Sequence, residues 1–299
     1  MVDKAEAWSP FYPFEPKRKE LSCGHSMSYI DEGEGHPVIM VHGNPTWSFY
    51  YRNVVLGLRD RYRCIAVDHI GCGLSDKPSA SDYAYTLEQR IKDLGELIDS
   101  LGLERFDLVV HDWGGAIGIG MALKRIEKLR RLAILNTAAF TDSRIPNRIA
   151  LCRAPIIGRL IVQGLNGFAW PASWMSVSKG SLDRKVKAGL LYPYSSWSNR
   201  RAVYQFVKDI PMNSKHRSYG TLRKIEEGLS KLQSKGVTLL WGGKDFCFND
   251  HFLNRWKSIL PEATVIRFPE GGHYILEDET EKVVTAIDQL VSYDDEDWS

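Results

Sequence analysis

Three ionisable side chains stand where apolar runs would deliver them into loops. Asp112 lies in Val110-His111-Asp112-Trp113-Gly114-Gly115, after such a run and before a glycine-bearing turn into a helical stretch. That is a nucleophile elbow, which exposes the middle side chain and aims backbone N–H groups at developing negative charge. The middle residue is an aspartate, and no GxSxG occurs anywhere in the chain. His273 sits in PEGGHYILED after the last apolar run, and Asp245 sits in WGGKDF after the run before it. Singly, Asp112 reads as readily as a helix N-cap and His273 as a loop histidine. Together they give nucleophile, acid and base in chain order, with Asp245 placed to hold the second nitrogen of the His273 imidazole.

A carboxylate nucleophile selects its chemistry. Serine attacking a saturated carbon would leave an ether that water does not readily cleave. Aspartate leaves an ester, and water activated by His273 can attack its carbonyl and regenerate Asp112. The loop His42-Gly43-Asn44-Pro45-Thr46-Trp47 adds Asn44, whose amide can donate a hydrogen bond, while His42 and Pro45 read as a rigid turn. The indole N–H of Trp113 is a second neutral donor beside the nucleophile. Two such donors in an apolar pocket suit a leaving anion.

The elements that must position these groups alternate. Apolar runs at 37–43, 62–71, 106–112, 130–138, 236–243 and 263–272 read as strands. Helical stretches fall at 47–60, at 86–103 with Thr86 as candidate N-cap, and at 114–129. Strand–helix alternation predicts an α/β fold with a mostly parallel central sheet covered by helices on both faces, and ligands at the carboxyl ends of its strands. Residues 139–213 break the pattern with no strand of that type, which predicts a helical cap inserted into a main domain of 1–138 and 214–299. The cap carries eleven basic and three acidic residues. Within it, 148–175 is both apolar and arginine-studded, a surface able to meet a lipid-like substrate, a membrane or partner subunits, although packing over the site is the simpler expectation. Trp170, Trp174 and Trp197 are candidate pocket or core aromatics.

Composition excludes other classes. The 299 residues are 43% hydrophobic and 25% charged with a net charge of +2, so neither disorder nor general polyanion binding is expected, and no nucleic-acid motif is present. Five scattered cysteines, none in CxxC, argue against a disulfide scaffold or metal site. Gly71-Cys72-Gly73 lacks the residues of a phosphate loop. The segment MVDKAEAWSPFYPFEPKRKE has no apolar signal region, no run reaches membrane-spanning length, and a cytoplasmic protein without a cofactor is the expectation. The tail at 294–299 reads as a solvated end.

The motifs HGNPTWSFYYR (42–52), DHIGCGLSDKP (68–78), VHDWGGAIG (110–118), WGGKDF (241–246) and GGHYILED (271–278) resemble those of the haloalkane dehalogenase family of α/β-hydrolases. The resemblance runs through nearly the whole chain and is weakest in the cap. It implies an α/β-hydrolase fold, with Asp112 as nucleophile, His273 as base, Asp245 as supporting acid, and Asn44 and Trp113 as the halide-stabilising pair. Some members place a Glu after the strand that here reads AILNTAAF (133–140); no carboxylate follows until Asp142, so Asp245 must serve. Asn44 combined with Asp245 resembles the third dehalogenase subfamily, which implies a tendency to form homo-oligomers. The leading expectation is therefore hydrolysis of a small apolar haloalkane to alcohol and halide. The alternative is a β-lactone decarboxylase making long-chain alkenes, which the same five residues also resemble. Epoxide hydrolases usually carry Gly where Val110 stands and an aromatic where Asn44 stands, and need two ring-opening tyrosines, for which Tyr192, Tyr194, Tyr204 and Tyr219 are available. A light-emitting oxygenase would use the missing Glu, and a binding protein without catalysis would not need a filled triad.

Overall fold

The computed structural model describes residues 8–292; the solvated tail expected at 294–299 lies outside them. Eight strands form one sheet: β1 (Lys17–Glu20), β2 (Ser26–Glu32), β3 (Pro37–Val41), β4 (Arg63–Val67), β5 (Phe106–His111), β6 (Leu129–Leu135), β7 (Gly236–Gly242) and β8 (Thr264–Phe268). Their order is β1-β2-β4-β3-β5-β6-β7-β8. β3 to β8 pair in parallel, and each ends before the apolar run marked in the sequence, because the last residues of each run peel away into loops. β1 and β2 are antiparallel additions that the sequence did not announce. β1 is the sheet edge, and its Lys-Arg-Lys-Glu sequence is largely exposed, so no apolar alternation marks it.

Helices α1 (Arg52–Leu58), α2 (Leu87–Ser100) and α3 (Trp113–Leu123) connect the first parallel strands. Thr86 caps α2 as expected, its hydroxyl accepting from the Gln89 N–H at 3.2 Å. α3 stops at Leu123, short of the stretch marked to 129, and the chain enters β6 through turns closed at Arg125 and Lys128. Between β6 and β7 come α4 (Asn147–Arg153), α5 (Ile157–Arg159, continued by a π-helical turn over Leu160–Gly164), α6 (Ala169–Met175), α7 (Arg184–Leu191), α8 (Arg201–Lys208) and α9 (Tyr219–Gly228). The inserted cap region is thus helical. α10 (Asp250–Ile259), α11 (Ile275–Asp278) and α12 (Thr280–Ser292) complete the chain.

Because side chains alternate along a strand, β3 feeds two cores. Ile39 and Val41 pack in a cluster with α2 and α3, while Val38 and Met40 pack in a second cluster with α1, α12 and part of the cap. This is an α/β-hydrolase fold with helices on both faces of the sheet. α1 is tied to α11, just beyond the His273 loop, by an ion pair in which Arg52 donates to both Glu277 carboxylate oxygens at 2.6 and 2.8 Å. Both side chains are buried. Replacing Arg52 with Met strands the Glu277 charge and is expected to cost about 3–5 kcal/mol. Denaturant unfolding checks this, and a loss below about 1 kcal/mol would show that the pair does not anchor the loop.

Candidate active site

The carboxyl ends of β3, β5, β6, β7 and β8 converge on Asp112. Asp112 itself has φ 51°, a left-handed conformation that a residue with a Cβ adopts only under constraint. The constraint is a set of close approaches. A Cβ at Gly114 would strike the Val41 carbonyl, one at Gly115 the Thr137 hydroxyl, and one at Gly43 the Asp112 carboxylate. The Thr137 hydroxyl also donates to the Asp112 carbonyl oxygen. The elbow can form only because these three positions are glycines.

The carboxylate is held from two sides. Asp112 Oδ1 accepts from the Asn44 backbone N–H at 2.6 Å, and the nearby Trp113 backbone N–H favours the ionised carboxylate. His273 Nε2 stands 3.7 Å from Asp112 Oδ2, and His273 Nδ1 meets Asp245 Oδ2 at 2.8 Å. The other Asp245 oxygen accepts from Cys247 N–H at 2.6 Å and Phe248 N–H at 3.0 Å, which fixes its orientation. Asn44, Asp112, Asp245 and His273 are all buried. Burial pushes the Asp112 pKa up, against the pull of His273 and of the two N–H donors. Burial also opposes charge on His273, but the Asp245 and Asp112 carboxylates outweigh it and raise its pKa. The structure therefore brings together Asp112, His273, Asp245, Asn44 and Trp113.

The two side-chain donors are placed differently. Asn44 Nδ2 donates to the Val203 carbonyl of α8 at 3.2 Å, using one of its two hydrogens. Its Oδ1 is buried without a partner. Trp113 lines the cavity above Asp112, its ring packed on Phe206 at 5.4 Å.

Other residues of the site carried no signal of their own. His111 Nε2 donates to the His273 carbonyl at 2.9 Å and pins the loop that carries the imidazole. Asn136 is buried; it accepts from Gly242 N–H at 2.7 Å and donates to the Gly242 carbonyl at 3.1 Å. It stitches β6 to the start of the Asp245 turn. His42 and His69 are buried with their rings tilted against each other at 4.4 Å, burial pushing His42 down to about 3, which keeps that ring neutral.

Two adjoining cavities border Asp112 as the branches of its pocket. Asn44, Asp112, Ile149, Phe168 and Cys247 line both branches. One branch runs past Phe140, Leu222 and Phe252, the other past Pro171, Met175 and Phe246, with His273 in its wall. The walls are predominantly apolar. The sequence offered Trp170, Trp174 and Trp197 as pocket or core aromatics; they are neither, for all three are exposed, and Phe side chains do the lining. None of Tyr192, Tyr194, Tyr204 and Tyr219 lines either branch. Tyr194 and Tyr204 instead donate to the carbonyls of Thr46 and Pro155, which removes the ring-opening pair an epoxide hydrolase needs.

Comparison with known proteins agrees with this geometry. The model of the alpha/beta hydrolase fold family matches residues 36–156. A Shewanella oneidensis protein named cis-3-alkyl-4-alkyloxetan-2-one decarboxylase is 45% identical over 92% of this chain and 88% of its own. This chain belongs to the haloalkane-dehalogenase and β-lactone-decarboxylase group of the α/β-hydrolases. A Mycobacterium tuberculosis protein of that group, named haloalkane dehalogenase 2, is 30% identical over 92% of this chain and 94% of its own. Among solved structures, an ancestral haloalkane dehalogenase is 26% identical with a TM-score of 0.80, covering 93% of this chain and 100% of its own. A reaction that begins with attack by Asp112 requires its carboxylate to be ionised. Since burial raises that pKa, kcat/KM should fall on the acid side with an apparent pKa above the ordinary aspartate value of about 3.9. A pH–rate profile checks it, and an acid limb lying below pH 4 would contradict it.

Proposed function

We propose that this protein is a decarboxylase of cis-3,4-dialkyl β-lactones, converting each to a cis-alkene and CO2. The forked apolar cavity carries the reading. A 3,4-dialkyl oxetan-2-one has two hydrocarbon chains leaving adjacent ring carbons, and the fork offers two branches diverging from Asp112. A short haloalkane would leave one branch empty. The greater similarity to the Shewanella decarboxylase than to the mycobacterial dehalogenase, 45% against 30% identity, supports the same choice. The order of preference drawn from the motifs alone is thereby reversed.

The chemistry follows from a carboxylate nucleophile. Asp112 attacks C4 of the lactone from the side opposite the ring oxygen. The C4–O bond breaks and its electron pair stays on oxygen, giving an ester of Asp112 at C4 and a free carboxylate on C3. Asn44 and Trp113 donate hydrogen bonds to that departing carboxylate, as they would to a halide. Inversion at C4 leaves the new ester oxygen anti to the C3–carboxylate bond. That bond then breaks, its electron pair forms the C3–C4 double bond, and the Asp112 oxygen leaves C4 with its own pair. CO2 departs, Asp112 is regenerated, and no water is consumed. Inversion followed by anti elimination keeps the two alkyl groups on one side, so a cis-lactone gives a cis-alkene.

His273 serves this route without acting as a base. As an imidazolium, paired with Asp245, it keeps the buried Asp112 ionised through the 3.7 Å contact. Hydrolytic dehalogenation would instead need His273 neutral, to activate water.

Purified protein given a cis-3,4-dialkyl β-lactone is expected to yield the cis-alkene by gas chromatography and mass spectrometry, and Asp112→Ala is expected to yield none. The same protein with 1,2-dibromoethane should release halide far more slowly. Halide release outpacing alkene formation would return the protein to the dehalogenases. Alkene formed equally by Asp112→Ala would remove the covalent route.

A further inference from the structure

The cap turns apolar side chains outward as well as inward. On α6, Pro171 and Met175 line a branch of the cavity, while Trp170 and Trp174, one helical turn apart, are 52% and 50% exposed. On α4, Ile149 faces the cavity and Leu151 faces out. Ile156 and Leu165, at either end of α5 and its π-helical continuation, are 76% and 79% exposed. So many large apolar side chains on one inserted region mark an interaction surface.

The charges around them are unneutralised. Between 139 and 213 the chain has eleven Lys and Arg against three acids. Among the described residues, Lys179 alone of the eleven has a carboxylate at ion-pair distance, Glu279. Of the three acids, Asp142 pairs with His251 and Arg255 and Asp209 with Arg217, all outside the cap, and Asp183 caps α7. The cations interleave with the exposed aromatics. The Lys187 ammonium lies over the Trp170 ring at 5.1 Å and the Arg159 guanidinium over Trp197 at 5.4 Å.

We propose that this face of the cap docks on an anionic lipid bilayer. Trp170, Trp174, Ile156 and Leu165 enter the boundary between headgroups and acyl chains, and Arg159, Arg184 and Lys187 meet the lipid phosphates. Indole rings favour that boundary, and basic side chains around an apolar strip add electrostatic attraction to anionic headgroups. A second copy of the chain is a poorer occupant, because a two-fold contact through this face would bring two strongly basic surfaces together. The inference goes beyond the proposed reaction and does not rest on it. It gives that reaction a consequence, since a branch of the cavity lies beneath the helices that would touch the bilayer.

The test is flotation of the full-length protein with vesicles, without substrate, so its outcome is separate from that of the reaction. Vesicles of phosphatidylcholine with phosphatidylglycerol should carry the protein, pure phosphatidylcholine much less, and high salt should release it. Trp170→Gln with Trp174→Gln, and separately Arg184→Glu with Lys187→Glu, should each weaken binding about tenfold or more, with an unchanged circular-dichroism spectrum and melting temperature. Neither pair contributes to the cavity wall. Absence of binding to anionic vesicles overturns the proposal, as does binding that both double variants leave intact. Self-association abolished by the Trp variants, in protein that ignores vesicles, overturns it in favour of a second copy.

Discussion

The site depends on one strained residue. Asp112 holds a left-handed backbone at the end of β5, and that conformation lifts its carboxylate out of the sheet toward the Asn44 N–H. Strain of this kind persists only where the surroundings over-determine it. Here they do, from three strands. β3 supplies the Val41 carbonyl that forbids a side chain at 114, β6 leads into Thr137, whose hydroxyl caps the Asp112 carbonyl, and β5 carries the elbow between them. The parallel order of these strands matters because it places all three ends on one edge of the sheet.

The second constraint is electrostatic. A buried carboxylate resists ionisation, and the fold answers with two N–H donors and a histidine whose own charge is supported by Asp245. Asp245 is in turn held by two backbone N–H groups of its turn. Around this polar core the cavity walls are predominantly apolar, with Asp142 and Arg144 in the lining of one branch and Arg148 in that of the other. A site built in this way suits a substrate that is hydrocarbon everywhere except at its reacting ring.

Much of this was legible in the sequence for a physical reason. Strands buried on both faces read as continuous apolar runs, and the elbow needs glycines at fixed offsets, so β3 to β7 and the placement of Asp112, Asp245 and His273 could be read from residue types; β8, a largely exposed edge strand, was marked by its β-branched Thr264-Val265-Ile266 instead. The β1–β2 hairpin could not, since an exposed edge of Lys, Arg and Glu has no apolar period. His111 and Asn136 were invisible for another reason: each is an ordinary polar residue whose partner is set by pairing across strands. The cap was the least legible. Its helices are short, and on α6 nothing in the sequence distinguishes the Pro171 and Met175 face, turned inward, from the Trp170 and Trp174 face, turned outward. The fork of the cavity likewise arises only when cap and main-sheet residues meet.

The central claim is that the Asp112 ester leaves by elimination and is never hydrolysed, and oxygen labelling tests it most directly. Multiple turnovers of a cis-β-lactone in H2(18)O, followed by mass spectrometry of the peptide containing Asp112, should show an unlabelled carboxylate. Hydrolysis of the ester would place a solvent oxygen in Asp112 at each cycle, and accumulation of that label during alkene formation would contradict the account.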